Sequence, residues 1–109
     1  SAELRPLVLD DLGFGAAAAW YVEQFRDRTG LQIDLSMPDV DPARGDAVAS
    51  ALFRILQESL TNVARHAQAT RVAVRLAAEE DEWVLTVSDD GAGFTPFPYT
   101  QLELHKPAL

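Results

Sequence analysis

With 109 residues, no cysteine and a formal net charge of -8 from nine basic and seventeen acidic side chains, the chain has room for one core and no disulfide or thiolate metal site. Its 48% hydrophobic content suits a folded domain, and its acidity argues against nucleic acid, because phosphate-backbone binding wants a basic surface. No apolar run reaches the ~18–20 residues that span a bilayer and no signal peptide is visible, so a soluble chain in a cytoplasmic setting is expected.

In chain order, Asp10 or Asp11 can cap a first helix whose apolar stripe is Phe14, Ala17, Ala18, Tyr21, Val22 and Phe25 and whose stop is Gly30. The alanines from Ala16 to Ala19 let a neighbouring element approach closely. Leu31, Ile33 and Leu35 alternate with polar residues and predict a short half-buried strand. Met37 to Gly45, with Pro38 and Pro42, is a loop, and Asp46 is placed to cap the next helix.

That helix, centred on ALFRILQESLTNVARHAQAT from Ala51 to Thr70, organises the chain. At ~3.6 residues per turn, Leu52, Leu56, Leu60, Val63 and Ala67 fall on one side, and Arg54, Glu58, Thr61, Asn62 and Arg65 on the other. Glu58 and Asn62, four residues apart, point a carboxylate and an amide oxygen the same way from adjacent turns, with Arg65 behind them. Such a face suits a cation, and an ordinary solvated face has the same composition. A mid-helix Asn is a mediocre helix former, which favours a chemical reason for it.

Val72, Val74 and Leu76 then alternate with polar or small residues, and after a turn at Ala78-Glu79-Glu80-Asp81 the alternation resumes through Trp83, Leu85 and Val87. This predicts a hairpin with one buried face, so helices should cover a single side of the sheet in a two-layer α/β sandwich. An acidic glycine turn, Asp89-Asp90-Gly91-Ala92-Gly93-Phe94, closes the second strand. No GxxxxGKS/T sequence is present, which excludes a P-loop.

The run QESLTNVARHAQATRVAV followed by VSDDGAGF resembles the asparagine box and first glycine box of sensor histidine kinase ATP-binding domains, most closely the nitrate-sensor and desaturase-sensor type. The opening LRPLVLDDLGF is similar to the segment by which that type enters its ATPase domain. The resemblance runs from about Leu4 to Phe94. It implies an α+β fold of the Bergerat type, with a mixed sheet and helices on one face, as shared by gyrase, the histidine kinases and the mismatch-repair ATPases.

By that resemblance Asn62 is a Mg²⁺ ligand, and Glu58 either holds a metal-bound water or acts as general base. Arg65 and His66 lie near the phosphates, although a cation there also complements the helix dipole. Asp90 accepts the adenine amino group, where guanine would offer a carbonyl instead. Gly91 and Gly93 allow close backbone approach to the base. ATP is the implied substrate, and the implied partners are a dimerisation and phospho-acceptor domain and a response regulator of a parent kinase, itself compatible with a membrane anchor.

The resemblance divides the chain into an ATP-binding domain at 1–94 and a tail at 95–109 that stands in place of the lid, the second glycine box and the last strands, so the fold is expected to be truncated. The only histidines, His66 and His105, sit in no acceptor motif, so the chain alone is not expected to phosphorylate itself. Two readings follow. One is the catalytic part of a protein-histidine kinase, passing the ATP γ-phosphoryl to a histidine; the other is a degenerate remnant kept as an interaction module. Three strands leave the helix stripes undercovered, so the tail, with Phe97, Tyr99, Leu102 and Leu104, is expected either to add a strand to its own sheet or to build a homodimer through the exposed edge, the dimer being preferred.

Overall fold

The computed structural model describes residues 11–40, 42, 47–66, 68–79 and 82–91, together with the backbone of 100–105. Two helices and four strands follow in the order α1 (Phe14–Thr29), β1 (Gln32–Ser36), α2 (Ala47–His66), β2 (Arg71–Glu79), β3 (Glu82–Asp89) and β4 (Thr100–His105). The strands form one mixed sheet in sequence order, β1 parallel to β2 and the other neighbours antiparallel. Helix α1 packs on β1 and on α2, and α2 packs on β3. This is the expected two-layer architecture.

The start of α1 differs from expectation. Asp11 and Leu12 are already helical, and the break comes at Gly13, whose φ of 99° serves as N-cap without a side-chain bond. Glycine alone takes that conformation without cost, so it displaces an aspartate cap. Asp10 and Asp46 lie outside the described residues. At the other end Gly30, at φ 78°, turns left-handed and returns its N–H to the Arg26 carbonyl at 2.8 Å, the expected stop.

The stripes read from the sequence are the core. Phe14, Ala17, Ala18, Val22 and Phe25 of α1 are buried against Leu52, Phe53, Leu56, Leu60 and Val63 of α2 and the inward residues of the sheet. Tyr21 joins them, its ring 5.6 Å from that of Phe53 in an edge-on arrangement. Ile33 is buried in β1, whereas Leu35 is only half-buried because β1 is an edge strand. The outer side of that edge is partly blocked: Arg26 Nη2 donates to the Ile33 carbonyl at 2.9 Å, occupying a group that another strand would need.

In the hairpin, Val74 faces Val87, Leu76 faces Leu85 and Ala78 faces Trp83. Pairing continues to Glu79 opposite Glu82, so Ala78 and Glu79 belong to the strand rather than to the turn. The same register sets Val72 opposite Asp89. Strand side chains alternate faces, so Trp83, Leu85, Val87 and Asp89 all point toward the helices. Asp89 is the polar end of an apolar row.

The tail resolves one expectation. β4 pairs antiparallel with β3 from Val87 opposite Thr100 to Glu82 opposite His105, with Leu102 opposite Leu85 and Leu104 opposite Trp83. It occupies the edge that a second copy would have used. Ala67, Gly93, Phe97 and Tyr99 lie outside the described residues.

Candidate functional site

Burying Leu52, Leu56, Leu60 and Val63 on one side of α2 turns the opposite side to solvent. Arg54, Glu58, Thr61, Asn62, Arg65 and His66 are all exposed there. Glu58 and Asn62 therefore share one open face a turn apart, and Arg65 and His66 form the basic last turn. No group of three or more His, Cys, Asp or Glu side chains suited to a metal exists among the described residues. The donor set on α2 is instead one carboxylate and one amide oxygen. Those are hard ligands, too few for a closed cage and suited to Mg²⁺ that keeps waters and takes its other oxygens from phosphates.

The acidic turn is tied to the loop that follows this helix. Four residues after His66, beyond Gln68 with its left-handed φ of 51°, Thr70 meets Asp90. The Thr70 N–H and Arg71 N–H donate to Asp90 Oδ1 at 2.9 and 3.1 Å, and Thr70 Oγ1 donates to Asp90 Oδ2 at 2.9 Å. The Asp90 N–H returns to the Arg71 carbonyl at 3.1 Å, carrying the β2–β3 ladder one residue past the strand.

The two neighbouring aspartates have different employment. A carboxylate has about four acceptor positions, and three of those on Asp90 are taken by Thr70 and Arg71. Asp89 Oδ1 accepts from Gly91 N–H at 2.7 Å, folding the turn over itself. Its Oδ2 is buried and has no hydrogen-bond partner among the described residues. A buried carboxylate oxygen left unsatisfied is costly unless a ligand completes it. Sequence reasoning passed over Asp89, yet the period-two row Trp83, Leu85, Val87, Asp89 is its signal. Thr70 has no comparable signal, since its role rests on a contact twenty residues away.

Hydrogen bonds from the Arg71 backbone N–H, then from Thr70, hold the Asp90 carboxyl below the usual carboxylate range. The Arg71 guanidinium for its part pairs with Asp34 at 3.5 Å. A depressed folded-state pKa means stabilisation that is complete above the unfolded value and lost as pH falls through the folded one. Asp90→Ala should therefore melt below wild type at neutral pH, and the gap should close in acid; calorimetric scans across that range check it. A gap that persists at the acid end would mean that the carboxylate charge is not what matters.

No helix among the described residues is long and apolar enough to cross a membrane. The family model for histidine kinase-, DNA gyrase B- and HSP90-like ATPases matches residues 47–107, more than half of the chain. The chain is 40% identical over 94 residues to the sensor histidine kinase MctS of Rhizobium johnstonii, covering 86% of this chain and 20% of that protein. It is 36% identical over 93 residues to the sensor histidine kinase NarS of Mycobacterium tuberculosis, with 85% and 21% covered. To the signal transduction histidine-protein kinase/phosphatase DegS of Brevibacillus brevis it is 34% identical over 92 residues, with 84% and 24% covered. The chain thus spans a fifth to a quarter of the length of these relatives. The family match runs from α2 through β4 and takes in both the oxygen-bearing helix face and the acidic turn. The chain accordingly belongs to the histidine kinase-, DNA gyrase B- and HSP90-like ATPase family, as an ATP-binding domain of the histidine-kinase kind.

Proposed function

We propose that this chain binds Mg²⁺ and ATP as the catalytic domain of a sensor histidine kinase of the nitrate-sensor and desaturase-sensor type. In the parent protein the γ-phosphoryl group passes to a histidine on a dimerisation domain, for relay to a response regulator. The observation that carries this reading is the buried Asp89 Oδ2 at the end of β3, which has no hydrogen-bond partner among the described residues, in a turn tethered to the loop that follows α2. We assign adenine recognition to Asp89 and not to Asp90. An acceptor that lacks a donor matches the adenine amino group, whereas Asp90 already has three donors.

Asn62 would hold the metal through its amide oxygen, and Glu58, one turn earlier, would hold a metal-bound water or accept a proton from the attacking nucleophile. Bound Mg²⁺ would offset phosphate charge. Arg65 adds positive charge at the same end of α2, where His66 stands beside it, and Gly91 and Gly93, which carry no side chain, are assigned to close approach of the base. Glu58 and Asn62 are both exposed on α2. A remnant serving only as an interaction module is not favoured, because the similar proteins are histidine kinases along most of this chain.

Titration with a fluorescent adenine nucleotide, with and without Mg²⁺, tests the reading. Saturable binding that ADP displaces and GDP does not is expected. Asn62→Ala should keep the helix, since alanine is the better helix former, and abolish the Mg²⁺ enhancement. Equal enhancement in both proteins would sink the metal assignment, and no saturable binding at all would sink the function.

A further inference from the structure

Thr70 stands where three elements meet. Its carbonyl accepts from Gln32 N–H at the start of β1 at 3.0 Å, its N–H and hydroxyl are gripped by Asp90 beyond the end of β3, and it lies four residues after the last residue of α2. The acidic turn is joined to the loop that follows α2 and to the first residue of β2 by a charged acceptor taking two backbone N–H groups and a hydroxyl, a combination stronger than neutral hydrogen bonds. Across the ladder, the reciprocal bond from Asp90 N–H to the Arg71 carbonyl fixes the direction in which the chain leaves β3.

We infer that Asp90, acting through Thr70 and Arg71, is a positioning residue of the nucleotide site, which locks the Asp89–Gly91 turn to the loop between α2 and β2 so that base and phosphate groups are held in one register. This inference rests on the nucleotide-binding reading above and deepens it. Asp89 and Gly91 bond to each other within the turn; without the Asp90 side chain only the last pairings of the β2–β3 ladder hold the turn to the loop after α2, and it gains freedom to shift relative to Asn62, Arg65 and His66. A ligand that spans both ends then loses one of them. An error of about 1 Å in such a span is enough to lower the affinity of a two-ended ligand substantially. A short ligand that reaches only one end does not feel the shift.

The test is a double-mutant cycle on nucleotide affinity with Asp90→Ala, Thr70→Val and the double variant, read well below each melting temperature with fluorescent ADP and with adenosine. Thr70→Val removes only the hydroxyl and keeps the shape, so it remains informative if Asp90→Ala folds poorly. For ADP we expect weakening of roughly tenfold in Asp90→Ala, less in Thr70→Val, and no further loss in the double variant beyond Asp90→Ala. Adenosine affinity should change little. Amide exchange should show the Thr70 and Arg71 N–H groups protected in wild type and released in Asp90→Ala. Unchanged ADP affinity in Asp90→Ala, or equal losses for ADP and adenosine, overturns the positioning role while leaving the nucleotide site standing. A wild type that binds no adenine nucleotide overturns the site itself and the positioning role with it, whatever exchange reports about the clamp.

Discussion

Asp89→Asn should lower the affinity for adenine nucleotides by about 1–3 kcal/mol, or roughly ten- to a hundredfold, without lowering the stability of the unliganded protein. The side chain sits at the polar end of the inward row of β3, one oxygen bonded to Gly91 N–H and the other buried without a partner among the described residues. A carboxylate in that state is a poor structural element and a good base-recognition element. An amide keeps the volume and can keep the bond to Gly91. It also removes the charge from a buried oxygen, so the melting temperature of the free protein should stay level or rise. Against this, the amide presents an N–H group or a weaker acceptor to the adenine amine, and binding falls. Loss of function with no loss of stability is the mark of a group held for a ligand. Calorimetric titration with ADP beside a thermal melt checks both halves. A variant that binds ADP as well as wild type would remove Asp89 from the site, and one that melts much lower would make it structural.

Ending the chain at Phe94, and so removing β4, should cost on the order of 3–6 kcal/mol if each hydrogen bond lost along the β3–β4 ladder is worth about 1 kcal/mol net. That is comparable to the whole stability of a small domain. Six residues of β3, from Glu82 to Val87, are paired with β4, and they include Trp83, Leu85 and Val87 of the core. Without β4 their outward backbone groups form a bare edge next to apolar side chains, which invites pairing with another chain. At about 4–8 °C per kcal/mol for a domain near this size, the melt should fall by roughly 12 °C or more, with association appearing in light scattering as concentration rises. The full chain, whose β3 edge is already paired, should show less association at the same concentration. A truncated protein that melts with wild type and stays dispersed would mean that β4 adds nothing to the fold.

Most of the architecture was legible because its determinants are local and periodic. The stripes Phe14 to Phe25 and Leu52 to Val63 recur at helical spacing and are buried as that spacing predicts, and Val72 to Val87 alternate and are buried as strands. The exposed face carrying Glu58 and Asn62 follows from the same arithmetic, because burying one side of a helix fixes the other. Glycine at position 13 shows the limit even at this level: the aspartates beside it were the more obvious caps, but backbone conformation decided the break.

The division of labour between Asp89 and Asp90 belongs to the tertiary structure. Two adjacent aspartates are interchangeable in composition; the alternation through Trp83, Leu85 and Val87 points Asp89 toward the helices, and the register of Val72 against Asp89 agrees. Only the Thr70 contact, spanning twenty residues, says that the other is already engaged. The choice between a tail strand on its own sheet and a pairing with another chain is of the same kind. The alternation in TQLEL suits either edge equally. Which edge it finds depends on where the chain leaves β3 and on Arg26 already occupying a carbonyl on the far side of β1. By itself the sequence determined the elements and the faces they bury, because hydrophobic periodicity acts within a few residues. Which carboxylate is satisfied and which keeps an oxygen without a partner among the described residues was decided by the tertiary structure, because hydrogen-bond satisfaction depends on partners that only the folded chain brings together.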